Sequence, residues 1–225
     1  FSSFTYADAQ GANVTATLTA EQLAAIKAVE VPLSVVQDPN GKNTGTATWT
    51  YTIADGAFDF LADGEKLTLT YMARVDNNYA PSNETTFVPF TIVITGTNDK
   101  PTLSATGGTI TERIGTGNTA VDTVTGSVTF ADADLTDRPV VSAAISTTDP
   151  FRYYDAEGND VTATLTPAQL AAIKAVEVPL SVVQATGNTH NGTASWTYSI
   201  ADSKFDFIAK GEKLTLNYVA QVDDG

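Results

Sequence analysis

Cysteine is absent from this sequence of 225 residues. Disulfide bonds, thiol nucleophiles and cysteine-ligated zinc sites are therefore excluded. Histidine occurs once, as His190, in a predicted turn. The chain contains an internal repeat, described below, in which Asn43 stands at the position equivalent to His190. A Ser-His-Asp site needs an imidazole that a rigid scaffold holds against a serine, and a lone histidine in a divergent turn does not meet that need. We therefore expect no catalytic residues and no enzymatic activity.

Basic residues and long apolar runs are also scarce. The chain has 12 Lys and Arg against 26 Asp and Glu, a formal net charge of -14. Such a surface repels nucleic acid and anionic membranes. No run of about 18 apolar residues is present, so we expect no membrane insertion. Carboxylates are hard oxygen ligands, which makes Ca²⁺ the first cation to consider, although an acidic surface also serves solubility alone.

A long internal repeat is the strongest pattern in the sequence. Residues 14–37 return at 161–184 with changes at two positions, and residues 45–76 return as a close match at 192–223. The segment between the two matching blocks has the same length in both copies. Repetition this close indicates duplication within a tandem array.

The repeat also suggests where one module ends and the next begins. A polar stretch with Gly and Pro at 95–101 has the composition of a domain boundary. Residues 1–100 contain no counterpart of 101–147, and the chain stops before a second counterpart of 79–100. We therefore expect two β-sandwich repeats, one over 1–100 that lacks its N-terminal strands and one over 101–225 that lacks its last strand.

Local patterns predict mostly strands. Apolar and polar residues alternate in three segments, which predicts half-buried strands at 46–53, 66–75 and 87–95. Pro89 places the last of these at a sheet edge, because proline cannot donate to a ladder. Thr19 followed by Gln22 predicts a capping box that opens one short helix. Trp49 and Trp196 hold equivalent strand positions, and we expect both in the core. Together these patterns predict an all-β fold in which each module carries one short inserted helix.

Acidic and amide side chains gather around the predicted boundary. They are Asn98 and Asp99 in the linker and Asp132, Asp134 and Asp137 in a following loop. Near-alternate carboxylates in a loop can converge on one hard cation, with carbonyl oxygens completing six to eight ligands. The other interpretation is a solvated turn in which each Asp caps local amides.

Four motifs together resemble the VCBS repeat of giant bacterial surface and biofilm adhesins, and more distantly the cadherin-like sandwiches. They are the segments 126–137, 58–69 and 94–101 and the Trp-Thr-Tyr strands. The resemblance covers essentially the whole chain. It implies Ig-like or cadherin-like β-sandwich modules, exported in long adhesion-related arrays, with Ca²⁺ at module junctions.

The resemblance also implies a set of ligands. Asn98 and Asp99 look like the cadherin linker ligands, and Asp132 and Asp134 look like the cadherin Asp-x-Asp pair. Glu112 resembles a glutamate near the first strand, which would serve the following junction. The sequence departs from the cadherin Asp-Arg-Glu motif, where Glu65 could substitute.

The expected function follows from this resemblance. It is a non-catalytic tandem repeat module of a large secreted bacterial adhesin, serving as a calcium-stiffened spacer or a cell-adhesion segment at the bacterial surface. The expected partners are neighbouring repeats of the same polypeptide and a surface glycan or protein. The alternative is a carbohydrate- or protein-binding module that uses the variable loops 38–44 and 185–191.

Overall fold

The structure is a computed structural model that describes residues 1–29, 31–40, 44–78, 82, 84–174, 180–184 and 190–224. Strands make up 42% of it and helices 14%, which agrees with the all-β expectation. The strands are β1 (Ser3–Ala7), β2 (Leu33–Gln37), β3 (Gly45–Trp49), β4 (Lys66–Asp76), β5 (Thr85–Thr95), β6 (Thr102–Ala105), β7 (Val121–Ala131), β8 (Val140–Ile145), β9 (Phe151–Tyr154), β10 (Leu180–Gln184), β11 (Asn191–Ala201), β12 (Lys213–Leu216) and β13 (Tyr218–Asp223). The α-helices are α1 (Ala20–Ala28) and α2 (Pro167–Lys174), and short 3-10 helical turns lie at Thr15–Thr17, Asp55–Ala57, Thr162–Thr164 and Asp202–Lys204.

The chain divides into two compact units. The first unit contains Phe1–Asp99 and Ala133–Thr136, and the second contains Lys100–Asp132 and Asp137–Gly225. The short segment belongs to the first unit because Leu135 packs against that unit's core and its N–H donates to the carbonyl oxygen of Phe60.

The first unit is built on an antiparallel sheet with the strand order β1-β4-β5. Alternation along β4 buries Leu67, Leu69 and Tyr71 on one face. They pack with Tyr6 and with Ile26 of α1 in one core cluster. Strand β5 lies at the edge of this sheet, so the edge position predicted from its proline is confirmed.

The helix prediction is also confirmed in detail. The Thr19 hydroxyl oxygen accepts from the N–H of Gln22 at 3.2 Å, and the Gln22 side chain accepts from the N–H of Thr19 at 2.8 Å. The second copy repeats this reciprocal pair with Thr166 and Gln169. Each box satisfies two amides that a helix otherwise leaves without partners.

The expectation for Trp49 is wrong. The predicted strand at 46–53 ends at Trp49, whose side chain is 44% exposed and stacks on Phe90. The reason is strand pairing, because β3 pairs only with β2 among the described strands, whereas the equivalent β11 pairs with both β10 and β7. Trp196 on β11 is half-buried against two core clusters, and its indole N–H donates to the carbonyl oxygen of Thr106.

The second unit contains a four-stranded antiparallel sheet with the order β10-β11-β7-β6 and two strand pairs, β12 with β9 and β13 with β8. Val128, Phe130 and Ala194 form one buried cluster around the centre of the sheet. Tyr198, Ile200 and Phe205 form a second cluster toward the end of β11. The first turn after β11, at 202–204, leads from this second cluster into the acidic residues discussed below.

Candidate metal sites

Three acidic residues converge in the loop that follows β7, here called the 132–137 loop. One carboxylate oxygen from each of Asp132, Asp134 and Asp137 lies within 4.8 Å of the others. Asp132 is 5% exposed and Asp134 is fully buried. Carboxylates this close repel one another unless a cation or a proton lies among them. This group can hold a metal ion.

The backbone of the loop is anchored by the neighbouring strand end. The Asp132 N–H donates to the carbonyl oxygen of His190 at 3.1 Å, and His190 Nδ1 lies 2.9 Å from the carbonyl oxygen of Asp132. The Asn191 side-chain oxygen also accepts from the Asp132 N–H. The single histidine therefore fixes the start of the loop through its carbonyl oxygen and its ring Nδ1.

The linker residues named by the sequence take different places. The N–H of Asp99 donates to Asp134 Oδ2 at 2.9 Å, so Asp99 contacts the loop through its backbone. Asn98 is exposed, and its side-chain amide donates to the carbonyl oxygen of Asp99. Glu112 does not join the 132–137 loop but lies in a second acidic group.

Glu65, which could replace the cadherin glutamate, is 1% exposed, and its carboxylate accepts several hydrogen bonds. Its Oε2 accepts from the Tyr6 hydroxyl at 2.5 Å and from the Ala62 N–H at 2.9 Å. Its Oε1 accepts from the Thr136 hydroxyl at 2.7 Å. Because Thr136 lies two residues after Asp134, this carboxylate positions the acidic loop.

A second acidic group lies entirely in the second unit. Glu112, Asp202 and Asp206 each place one carboxylate oxygen within 4.8 Å of the others, and we call them the Asp202 cluster. Asp202 is fully buried. Its Oδ1 accepts from the Arg113 N–H at 2.9 Å, and Asp206 Oδ2 accepts from the Gly117 N–H at 2.7 Å. These two amides tie the segment around 112–117 onto the turn after β11.

Asp122 and Asp202 are adjacent carboxyl groups of the second unit, and their pKa values are shifted in opposite directions. The Arg113 side chain donates to Asp122 at 2.7 Å and holds the pKa of that carboxyl below its ordinary value. The backbone N–H of Arg113 favours the ionised form of Asp202, but burial and the adjacent Asp122 carboxylate outweigh it and raise the pKa of Asp202. Asp202 is therefore more easily protonated than Asp122.

Asp202 and Asp206 were not predicted from the sequence as site residues. The hydrogen bond from Arg113 to Asp202 joins positions 89 residues apart, and only the fold brings them together. One signal was present, because Asp55 and Asp59 stand at the equivalent places in the first copy although two of the three residues between them differ. Asp55 and Asp59 themselves are exposed.

Comparison with known proteins adds no relative. No family model matches the chain, and neither a curated protein nor a solved structure matches it. Within the described part of the chain, the helices are too short or too polar to cross a membrane.

Proposed function

We propose that this chain is a non-catalytic repeat module of a large secreted bacterial adhesin of the VCBS type. In this proposal its Ig-like modules form part of a spacer or cell-adhesion segment at the bacterial surface, which bound Ca²⁺ stiffens. The observation that carries the proposal is the convergence of Asp132, Asp134 and Asp137 in one short loop.

The donor set favours a hard cation. Carboxylate oxygens are the ligands that Ca²⁺ prefers, and backbone carbonyls and water complete its six to eight positions. Burial of Asp132 and Asp134 makes their mutual repulsion less screened than it would be at the surface. A divalent cation would offset that repulsion and so stabilise the folded loop.

The two copies of the repeat share one strand pair and one capped helix, which supports a tandem array. Leu33 lies opposite Trp49 in the pair β2–β3, and Leu180 lies opposite Trp196 in the pair β10–β11. Both copies also place a capped helix before the first strand of this pair. Local structure that repeats with the sequence is what an array built from copies of one module would show.

The proposed mechanism is linkage between ion binding and folding. An ion that binds only the folded state stabilises that state by about 2.7 kcal/mol when its free concentration is 100-fold above its Kd. A chain of this size gains about 2–4 °C in Tm for each kcal/mol. Saturating Ca²⁺ should therefore raise Tm by about 5–10 °C.

The test compares thermal unfolding in Ca²⁺ with unfolding in excess EDTA. Asp134→Asn should lose most of the Ca²⁺-dependent rise, because it removes one of the converging carboxylates. Glu157→Gln removes one exposed charge elsewhere and is the matched control, which should keep the full rise. Equal Tm values in Ca²⁺ and EDTA for the unaltered chain would contradict the proposal.

The alternative function, a carbohydrate- or protein-binding module, stays a prediction. It depends on the variable loops 38–44 and 185–191, of which 41–43 and 185–189 lie outside the described residues. Loss of glycan binding after exchange of these loops would favour the alternative over a spacer.

A further inference from the structure

The Asp202 cluster contains buried carboxylate oxygens that protein groups do not satisfy. Asp202 Oδ2 and Asp206 Oδ1 are buried and, like Oδ2 of the adjacent Asp122, accept no hydrogen bond from an N–H or a hydroxyl group of a described residue. Burying an ionised oxygen without a partner is costly, and such atoms normally mark a bound ion, a water or a proton. The unsatisfied oxygens therefore point to a ligand of positive charge.

The other oxygens of the same carboxylates are held in place. Backbone amides of Arg113 and Gly117 donate to Asp202 Oδ1 and Asp206 Oδ2. Hydrogen bonds of this kind orient carboxylate ligands in metal sites and leave the second oxygen for the ion. One oxygen of each aspartate is thus fixed, and the other remains available.

The nearest ion pair does not include any carboxylate of the Asp202 cluster. The Arg113 guanidinium pairs with Asp122, which is 7% exposed at its side chain. The ion pairs among the described residues give no basic partner to Glu112, Asp202 or Asp206. The three carboxyl groups of the cluster therefore lie beside the Arg113–Asp122 pair and have no basic side chain of their own among the described ion pairs.

We propose that the Asp202 cluster binds a hard divalent cation, with Ca²⁺ as the fitting ion, inside the second unit. Glu112, Asp202 and Asp206 each contribute a carboxylate oxygen. The site fastens the segment 112–122 to the turn after β11 without any residue of the 132–137 loop. It does not rest on the function proposed above.

A buried proton is the competing ligand. The adjacent carboxyls of Asp122 and Asp202 can share one proton, and the raised pKa of Asp202 fits that state in the absence of an ion. The two ligands differ in what they do to Asp206 and Glu112. A shared proton leaves these two carboxylates unaffected, whereas a cation draws all three members of the cluster together.

The test follows backbone amides by ¹H–¹⁵N NMR during a titration with Ca²⁺ alone. The amides of Arg113 and Gly117 should shift together and saturably, because both donate to ligand carboxylates. Glu112→Gln should weaken this response by about tenfold or more, since it removes one charged ligand. Asp55→Asn, at the exposed position equivalent to Asp202, should leave it unchanged.

An Asp134→Asn chain separates this proposal from the earlier one. Its Arg113 and Gly117 amides should still respond to Ca²⁺, although most of its Ca²⁺-dependent rise in Tm is lost. The titration of the unaltered chain tests the proposal without any substitution that could impair folding. Amides of Arg113 and Gly117 that stay fixed at millimolar Ca²⁺ would overturn the proposal.

Discussion

Truncation of one leucine at equivalent places in the two copies should cost very different amounts of stability. Leu67 in β4 is fully buried, between Tyr6 of β1 and Ile94 of β5 in the strand register. Leu214, its counterpart in β12, is half-buried and lies opposite Tyr153 of β9. Among the described strands, β12 pairs with β9 alone. The same residue type thus has two strand neighbours in one unit and one in the other.

The magnitudes follow from burial. Leu67→Ala removes fully buried methyl groups and leaves a cavity, so the free energy of unfolding of the first unit should fall by about 3 to 5 kcal/mol. Leu214→Ala removes groups that water already reaches, so its second unit should lose about 1 to 2 kcal/mol. Neighbouring residues are nearly the same in both copies, which makes each variant the control for the other.

Native-state hydrogen exchange measures the two losses separately. Opening free energies of the amides in β4 report the effect of Leu67→Ala, and those in β12 report the effect of Leu214→Ala. The difference between the two losses should be at least about 1 kcal/mol. Equal losses would refute the reasoning, because they would mean that the second copy buries its leucine as deeply as the first.

Two further predictions concern the second unit. Gly126→Ala should destabilise it by about 1 to 3 kcal/mol in urea unfolding, because a Cβ there would lie 2.4 Å from the Trp196 ring. Gly107→Ala meets open space and should be near neutral, so equal losses would contradict this contact. The Tyr153 hydroxyl lowers the pKa of Glu212, so this stabilisation is present above the ordinary glutamate pKa and is lost as the pH falls through the folded-state value. Glu212→Gln should flatten the loss of Tm between about pH 6 and pH 3, and an unchanged profile would contradict that assignment.

Local elements were predictable because their causes lie within a few residues. The Thr19 and Gln22 pair satisfies amides in its own helix turn, and the observed capping box has the expected partners. The alternation over 66–75 predicts β4 because a strand exposes its faces in turn. The edge position of Pro89 followed from its missing N–H.

Features that depend on distant partners were not predictable. Trp49 and Trp196 have nearly the same local sequence, but β7 lies beside β11 and no described strand takes that place beside β3. Asp202 is buried because the segment around Arg113 covers it, and nothing near position 202 encodes that contact. The three aspartates of the 132–137 loop were predictable as a group because they stand within six residues of one another.

The central claim is that the acidic groups of this chain hold Ca²⁺. An anomalous difference map from crystals grown in Ca²⁺ tests it most directly. We expect a peak among Asp132, Asp134 and Asp137 and a second peak among Glu112, Asp202 and Asp206. Ordered side chains with no anomalous density at either place would contradict it.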